Sequence, residues 1–246
     1  MSTIVVVPTY NELENLRKLV EAIRNLPDKV HLLIVDDNSP DGTGRVADEL
    51  SRKYPGEVFV YHRERKQGLG RAYVAAFQHV LKNFDYAFII QMDCDFSHDP
   101  VYIADFLKAI QNADLVLGSR YITGINVVNW DFKRLLLSKF ASAYVRRVTG
   151  MPYTDLTGGF KCWRRTTLEA LQLERIFSMG YLFQVETTYR VWRAGRFKIV
   201  EIPIIFYERN RGRSKIHPRI IVEALIGVIR LRFTRTRRQN SGILRP

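Results

Sequence analysis

Two carboxylates one residue apart, Asp93 and Asp95, close the apolar run Tyr86–Gln91. At the end of a β-strand, positions i and i+2 face the same side. Two carboxylates so placed can share one hard divalent cation. Mg²⁺ is held in this way, by one or two carboxylates together with phosphate oxygens of a substrate. Such an ion neutralises charge on a departing diphosphate, which is Lewis-acid assistance to leaving-group departure. A lone Asp-x-Asp is more often a solvated turn. Here a second acidic pair, Asp36 and Asp37, closes the neighbouring apolar run Val30–Val35, and that favours the functional reading. Cys94, between the two acids, is expected to point away from them as buried filler.

Further candidates surround this pair. Asp36, Asp37 and Asp41 lie in a cluster of turn formers, where a carboxylate can accept hydrogen bonds from a ribose or a base edge or cap the next helix. The turn Lys66-Gln67-Gly68-Leu69-Gly70-Arg71 opens a helical segment whose first N–H groups suit an anion. Two glycines alone carry little weight. Arg120, Arg134, Arg209, Arg211, Arg213 and Lys215 are the cationic candidates, because Arg holds phosphate bidentately. Residues 219–233 are apolar, with Arg219, Arg230 and Arg232 at their ends. That pattern suits a helix lying in a membrane interface or one packed on the core.

The elements that must position these residues follow from the hydrophobic pattern. Apolar runs at Thr3–Pro8, Val30–Val35, Glu57–Tyr61 and Tyr86–Gln91 alternate with helical patterns such as Leu13, Leu16, Leu19, Val20 and Ile23. Pro100 fits the first turn of a further helix. Leu115–Leu117 and Phe197–Phe206 read as strands, and 131–148 and Tyr181–Arg193 as helices. Continuous apolar strands alternating with helices predict an α/β fold whose mostly parallel sheet is covered on both faces. Ligands bind such sheets beyond the carboxyl ends of the strands, where Pro8–Glu12, Asp36–Asp41 and Asp93–Asp95 should sit.

The chain has 246 residues, 46% of them hydrophobic, enough for one large domain with a C-terminal extension. Two cysteines, far apart, suit a reducing compartment. The first strand begins almost at Met1, which leaves no room for a signal peptide, and no apolar run is long enough to span a bilayer. The expected location is therefore the cytoplasm, peripheral on the cytoplasmic face of a membrane. The formal charge of +13 favours anionic partners. Its concentration at 133–147 and 209–238 argues against a nucleic-acid coat, so no nucleic-acid partner is expected.

Taken in order, Pro8-Thr9-Tyr10-Asn11-Glu12, Val35-Asp36-Asp37-Asn38-Ser39-Pro40-Asp41-Gly42-Thr43, Gly68-Leu69-Gly70 and Met92-Asp93-Cys94-Asp95 resemble the family 2 glycosyltransferases of the GT-A fold. Gly118-Ser119-Arg120-Tyr121, Trp130-Asp131-Phe132-Lys133-Arg134 with Ser138, Asp155-Leu156-Thr157-Gly158-Gly159-Phe160, Gly180-Tyr181-Leu182-Phe183-Gln184 and Arg209-x-x-Gly212-x-Ser214-Lys215 resemble, within it, the polyprenol (dolichol) phosphate mannose synthases. The resemblance spans roughly residues 3–230. It implies transfer of mannose from GDP-mannose to a polyprenyl or dolichyl phosphate, with inversion. Pro8, Tyr10, Glu12, Asp37 and Gly68 would surround the donor nucleotide. Asp93 and Asp95 would hold Mg²⁺ or Mn²⁺. Ser97 stands where some members place a metal-ligating Gln. Arg120, Arg134, Ser138 and Arg209 would hold the acceptor phosphate, with Arg209 and Lys215 closing over both phosphates and counted, with Arg120, among the catalytic set.

The resemblance also divides the chain into a catalytic domain at 1–218, an apolar and basic helix at 219–235, and a basic tail at 236–246. Relatives with C-terminal spans suggest that this chain works against an anionic membrane surface, with or without a membrane-anchored partner protein. A different donor, such as UDP-glucose, is the alternative within the class. A non-catalytic module binding nucleotide-sugar or membrane anions is the alternative outside it.

Overall fold

Each continuous apolar run becomes a strand buried on both faces, because helices cover both sides of the sheet. The computed structural model describes residues 2–208 and 218–233, the side chains of 218–223 excepted. It opens with β1 (Thr3–Thr9), α1 (Leu13–Arg24), β2 (His31–Asp36), α2 (Thr43–Lys53), β3 (Val58–His62), α3 (Leu69–Asn83) and β4 (Phe88–Gln91). A 3-10 turn over Pro100–Tyr102, capped by Asp99 at the Val101 N–H, leads into α4 (Ile103–Ile110) and β5 (Leu115–Ser119). There follow β6 (Val127–Val128), α5 (Phe132–Thr149), β7 (Lys161–Arg164), α6 (Arg165–Ala170), α7 (Leu182–Ala194), β8 (Ile199–Pro203), β9 (Phe206–Tyr207) and α8 (Pro218–Phe233).

The main sheet runs β3-β2-β1-β4-β7-β5-β8. All neighbours pair in parallel except β7, which lies antiparallel between β4 and β5. Along β1, Val5 and Val7 pack with Leu16 and Leu19 of α1 and Phe106 of α4. Ile4 and Val6 face the other way, with Phe77 of α3 and Trp163 of β7. This is the two-residue period of a strand buried on both sides. Because β1, β2 and β4 are parallel, the segments that follow them leave the sheet at one edge.

A third apolar cluster joins α5, α7 and α8 through Val145, Leu182, Val185, Tyr189, Val228 and Leu231. A Cβ at Gly227 would lie 2.1 Å from Leu182 Cδ2, so α8 packs this tightly on α7 because position 227 is bare. One face of α8 therefore packs on α5 and α7, while Leu225, Ile226, Ile229 and Phe233 remain exposed. The tail at 236–246 lies outside the described residues.

Three sequence expectations need correction. β7 was not anticipated. The single strand expected over Phe197–Phe206 is two: β8 ends at Pro203, the Ile204 N–H turns to the Ser119 carbonyl, and β9 pairs with β6 instead. Asp93 and Asp95 do not stand on a strand, since β4 ends at Gln91 and they occupy the turn beyond it.

Candidate active site

The turn after β4 is shaped by its own side chains. Asp95 Oδ1 accepts from the Ser97 N–H at 3.0 Å and from the Ser97 hydroxyl at 2.6 Å, and Phe96 takes a left-handed backbone (φ 61). Asp93 Oδ1 accepts from the Tyr73 hydroxyl at 3.1 Å. Burial first, and then Asp93, push the Tyr73 phenol well above its ordinary range, so it stays a donor. The Asp93 N–H donates to His98 Nδ1 at 3.0 Å. Burial lowers the His98 pKa against the pull of Asp93 and Asp95, which favours a neutral ring with its proton on Nε2. That ring stacks on Phe160, with centroids 4.9 Å apart. Cys94 is buried in the core, as expected.

Both carboxylates line one cavity of about 310 Å³. Among the described residues no third His, Cys, Asp or Glu completes a metal cage. Two oriented carboxylates in an otherwise incomplete donor set fit a hard cation whose remaining ligands are water and substrate phosphate. Ser97, expected as a third ligand, donates its hydroxyl proton to Asp95 and orients that carboxylate.

Arg120 follows β5 and enters the same cavity. Its Nε and Nη2 donate to the two oxygens of Asp155 at 2.6 and 2.7 Å, and Nη2 also donates to Thr157 Oγ1 at 2.8 Å. Burial alone would raise the Asp155 carboxyl. The Arg120 guanidinium and the N–H groups of Arg120 and Thr157 outweigh it and hold the pKa below 3.8. Trp130, Tyr121 and Phe206 surround the guanidinium with their rings. Arg134, in the first turn of α5, stacks on Trp130 at 4.6 Å and donates to Glu208 Oε1 at 2.5 Å. Ser138, one turn further along the same helix face, accepts from the Tyr121 hydroxyl at 2.8 Å. Arg120, Arg134 and Ser138 thus converge although β5 and α5 are separate elements. Beyond them the cavity wall turns apolar, with Leu137 and Tyr144 of α5, Leu182 and Val185 of α7, and Leu225 and Val228 of α8.

The expected donor residues lie at or beyond the carboxyl ends of β1, β2 and β3, outside the lining of this cavity. The Asp37 N–H bonds the Thr9 carbonyl, which joins the two strand ends. The Asp37 carboxylate pairs with Arg63, and burial raises its pKa against that pull. The Lys66 ammonium lies 3.8 Å from the Tyr10 ring centre. Glu12 accepts from Asn15 Nδ2 at 2.8 Å and opens α1, and Pro8 is half-buried near the end of β1. Asp36 and Asp41 are loop fasteners: Asp36 accepts from Thr9 and Ser39, Asp41 from Thr43 and the Leu13 N–H.

The glycine turn is explained by packing. A Cβ at Gly68 (φ +99) would lie 2.7 Å from the Met179 carbonyl oxygen, and one at Gly70 would lie 2.7 Å from that of Ser178. The Gly70 N–H is already bonded to Met179 O at 2.8 Å. The close approach of the Ser178 and Met179 carbonyls thus accounts for both glycines. Arg209, Arg211, Arg213 and Lys215 lie outside the described residues.

Sequence reasoning assigned no site role to Tyr73, His98, Trp130, Asp155, Gln184 or Glu208. Trp130, Asp155 and Gln184 stand within the motifs that carry the resemblance, which was the available signal. A lone His gave none.

Comparison with known proteins agrees with this geometry. Residues 4–172 match the model of "Glycosyl transferase family 2". A polyprenol monophosphomannose synthase from Mycolicibacterium smegmatis is 44% identical over 96% of this chain and 90% of its own. An undecaprenyl-phosphate mannosyltransferase from Micrococcus luteus is 42% identical over 94% of this chain and 93% of its own. Among solved structures, glucosyl-3-phosphoglycerate synthase from Mycobacterium tuberculosis, in complex with phosphoglyceric acid, superposes with a TM-score of 0.70 at 18% identity, covering 93% of this chain and 80% of the other. Another structure of that enzyme holds Mn²⁺ and UDP-glucose. With a matching family model over most of its length and two long relatives above 40% identity, the chain belongs to glycosyl transferase family 2, and its α/β sheet is GT-A-like.

Proposed function

We propose that this glycosyltransferase moves mannose from GDP-mannose to a polyprenyl or dolichyl phosphate, giving polyprenyl-phosphate β-mannose and GDP. The observation that carries the reading is one cavity with two chemistries. Asp93, Asp95, Arg120 and Arg134 line it together with Leu137, Leu182, Val185 and Leu225. A phosphate ester of a long hydrocarbon has the same two halves. The relatives named for mannosyl transfer to polyprenol and undecaprenyl phosphate support the same acceptor class. GDP as the carrier rests on the family resemblance, as does the donor set Pro8, Tyr10, Glu12, Asp37 and Gly68.

The acceptor phosphate is already ionised near neutral pH, so its attack needs no strong general base. The work of the protein is to align that phosphate with the anomeric carbon and offset the repulsion between two anions. Arg120, whose Nε and Nη2 are held by Asp155 and Thr157, keeps Nη1 for the phosphate, and Arg134, stacked on Trp130, adds a second guanidinium beside it. The Ser138 hydroxyl adds one hydrogen bond. Asp93 and Asp95 would hold Mg²⁺ or Mn²⁺, which when bound supplies Lewis-acid stabilisation to the departing diphosphate. In-line displacement at an α-linked donor inverts the anomeric centre.

No helix among the described residues is long and apolar enough to cross a membrane. The exposed side chains Phe132, Leu136 and Phe140 of α5 and Ile226, Ile229 and Phe233 of α8, with Lys133, Lys139 and Arg230 beside them, suit shallow insertion into an anionic surface. This supports a peripheral enzyme drawing its acceptor from the membrane, with Arg209 and Lys215 as further phosphate contacts.

The acceptor reading is tested by offering GDP-mannose with polyprenyl phosphate, unphosphorylated polyprenol, or a short water-soluble phosphate monoester. Transfer to the first alone is expected. Equal transfer to polyprenol would remove the phosphate site, and equal transfer to the soluble ester would remove the apolar wall. NMR of the product should show a β-anomer; an α-anomer refutes in-line displacement.

A further inference from the structure

A further buried polar assembly faces the cavity. Gln91 of β4 is fully buried, and its Nε2 donates to Oε1 of Gln184 at 2.7 Å. Gln184, in the first turn of α7, is 3% exposed and lines the cavity. Its carbonyl accepts from Lys161 Nζ at 2.7 Å, and the same amine reaches Thr187 and Thr188. Both the side chain and the main chain at position 184 are thus held from behind. Burying two amides and an amine costs free energy unless each finds partners; Gln91 Oε1 is buried without one, while the bonds that are made rigidify what they support.

An amide has two chemically different ends. With Oε1 engaged by Gln91, the donor end, Nε2, is the one left for the cavity. Gly159 marks where it points. A Cβ there would lie 3.2 Å from Gln184 Nε2 and 3.3 Å from His98 Cε1, so the bare Gly158-Gly159 floor lets the amide come close. The floor has two ends. A Cβ at Gly158 would lie 3.5 Å from the carboxylate of Asp155, which carries Arg120, while Gly159 abuts His98, which is bonded to the Asp93 N–H. Displacement requires the transferred hexose to lie between the leaving diphosphate, at the Asp93 side, and the acceptor phosphate, at the Arg120 side. Gln184 stands over that interval. Its neutrality also matters: between two phosphates a carboxylate would repel both, whereas an amide N–H attracts a hydroxyl without charge.

We propose that Gln184 is a specificity-determining residue whose Nε2–H donates to one hydroxyl of the donor hexose, its orientation locked by Gln91. The inference rests on the transfer reaction proposed above and adds the group that reads the sugar.

The test compares wild type, Gln184→Leu and the pair Gln91→Leu/Gln184→Leu, which removes both amides and so leaves no orphaned partner. Initial rates are measured with GDP-mannose and its singly deoxygenated analogues on polyprenyl phosphate, and melting curves confirm folding. Wild type should lose about tenfold in kcat/KM with one particular analogue, the ratio expected of a single neutral hydrogen bond. The variants should lose about tenfold with GDP-mannose and nothing further with that analogue. The same extra loss in variants and wild type, or an unchanged rate in Gln184→Leu, overturns the assignment. Wild type that uses UDP-glucose and not GDP-mannose would refute the mannosyl reading alone; the deoxygenated series on the glucosyl donor would still decide the role of Gln184.

Discussion

Asp155→Asn keeps the shape of a buried side chain and removes its charge. Asp155 has no exposed side-chain surface, and the Arg120 side chain beside it is 8% exposed, so solvent cannot replace the lost partner. The new amide would also set an NH₂ group against an Arg120 N–H, donor against donor, where two charge-assisted hydrogen bonds now stand. Breaking a buried pair from one side costs about 3–5 kcal/mol. At roughly 2–4 °C per kcal/mol for a domain of this size, the melting temperature should fall by about 6–20 °C. KM for the acceptor should rise as well, because Arg120 is no longer fixed. The neutral pair Arg120→Gln/Asp155→Asn should be less destabilised than the sum of its single variants, since it leaves no unpaired charge. The pH dependence has a definite sign. The Asp155 pKa is depressed in the folded state, so its stabilisation is present above the unfolded value near 3.8 and is lost as pH falls through the folded one. The gap between wild type and Asp155→Asn should therefore close only in acid. A melting-temperature change under ~2 °C at neutral pH would refute the buried-pair reasoning.

Asp95→Ala should abolish chelator-sensitive turnover with little change in melting temperature; wild-type rates would remove Asp95 from the metal site. Glu208→Gln should lower KM for the acceptor, because the Glu208 carboxylate now occupies Arg134 Nη1, where the phosphate is expected; a raised KM would mean that Glu208 positions Arg134 instead. Burial lowers the Lys161 pKa from 10.5 to about 7. Between those values the unfolded chain holds the proton and the folded chain does not, so this residue makes stability rise with pH by at most ~1.4 kcal/mol per unit. Lys161→Met should flatten that rise in denaturant midpoints measured from pH 7 upward, and an unchanged slope would contradict the lysine assignment. Ile226→Glu/Phe233→Glu should weaken flotation with anionic liposomes and leave transfer to a detergent-dispersed acceptor unchanged; unaltered flotation would remove α8 from the membrane contact.

The first four strands were legible because each is an unbroken apolar run, the pattern of a strand covered on both faces. The acids at their ends were legible for the same reason, as polar clusters abutting apolar runs. β7 was not, because Lys-Cys-Trp-Arg is short and charged, and Lys161 is tolerated inside only through acceptors on α7, distant in sequence. The break between β8 and β9 depends on Ser119 and Asn126 capturing the N–H groups of Ile204 and Phe206, which local pattern does not show. Asp93 and Asp95 were found by type and spacing, yet their shared orientation comes from Tyr73, Ser97 and His98 and not from strand periodicity. Gly68 and Gly70 were legible only in part. Their conformational freedom was visible, but the chain segment at 178–180 that requires it was not.

The most direct measurement incubates the purified chain with radiolabelled GDP-mannose, a short polyprenyl phosphate and Mg²⁺, with and without EDTA, and counts label in the organic phase. The account predicts transfer that chelation abolishes and Mg²⁺ or Mn²⁺ restores. Label that stays in the aqueous phase, or transfer indifferent to the chelator, would contradict it.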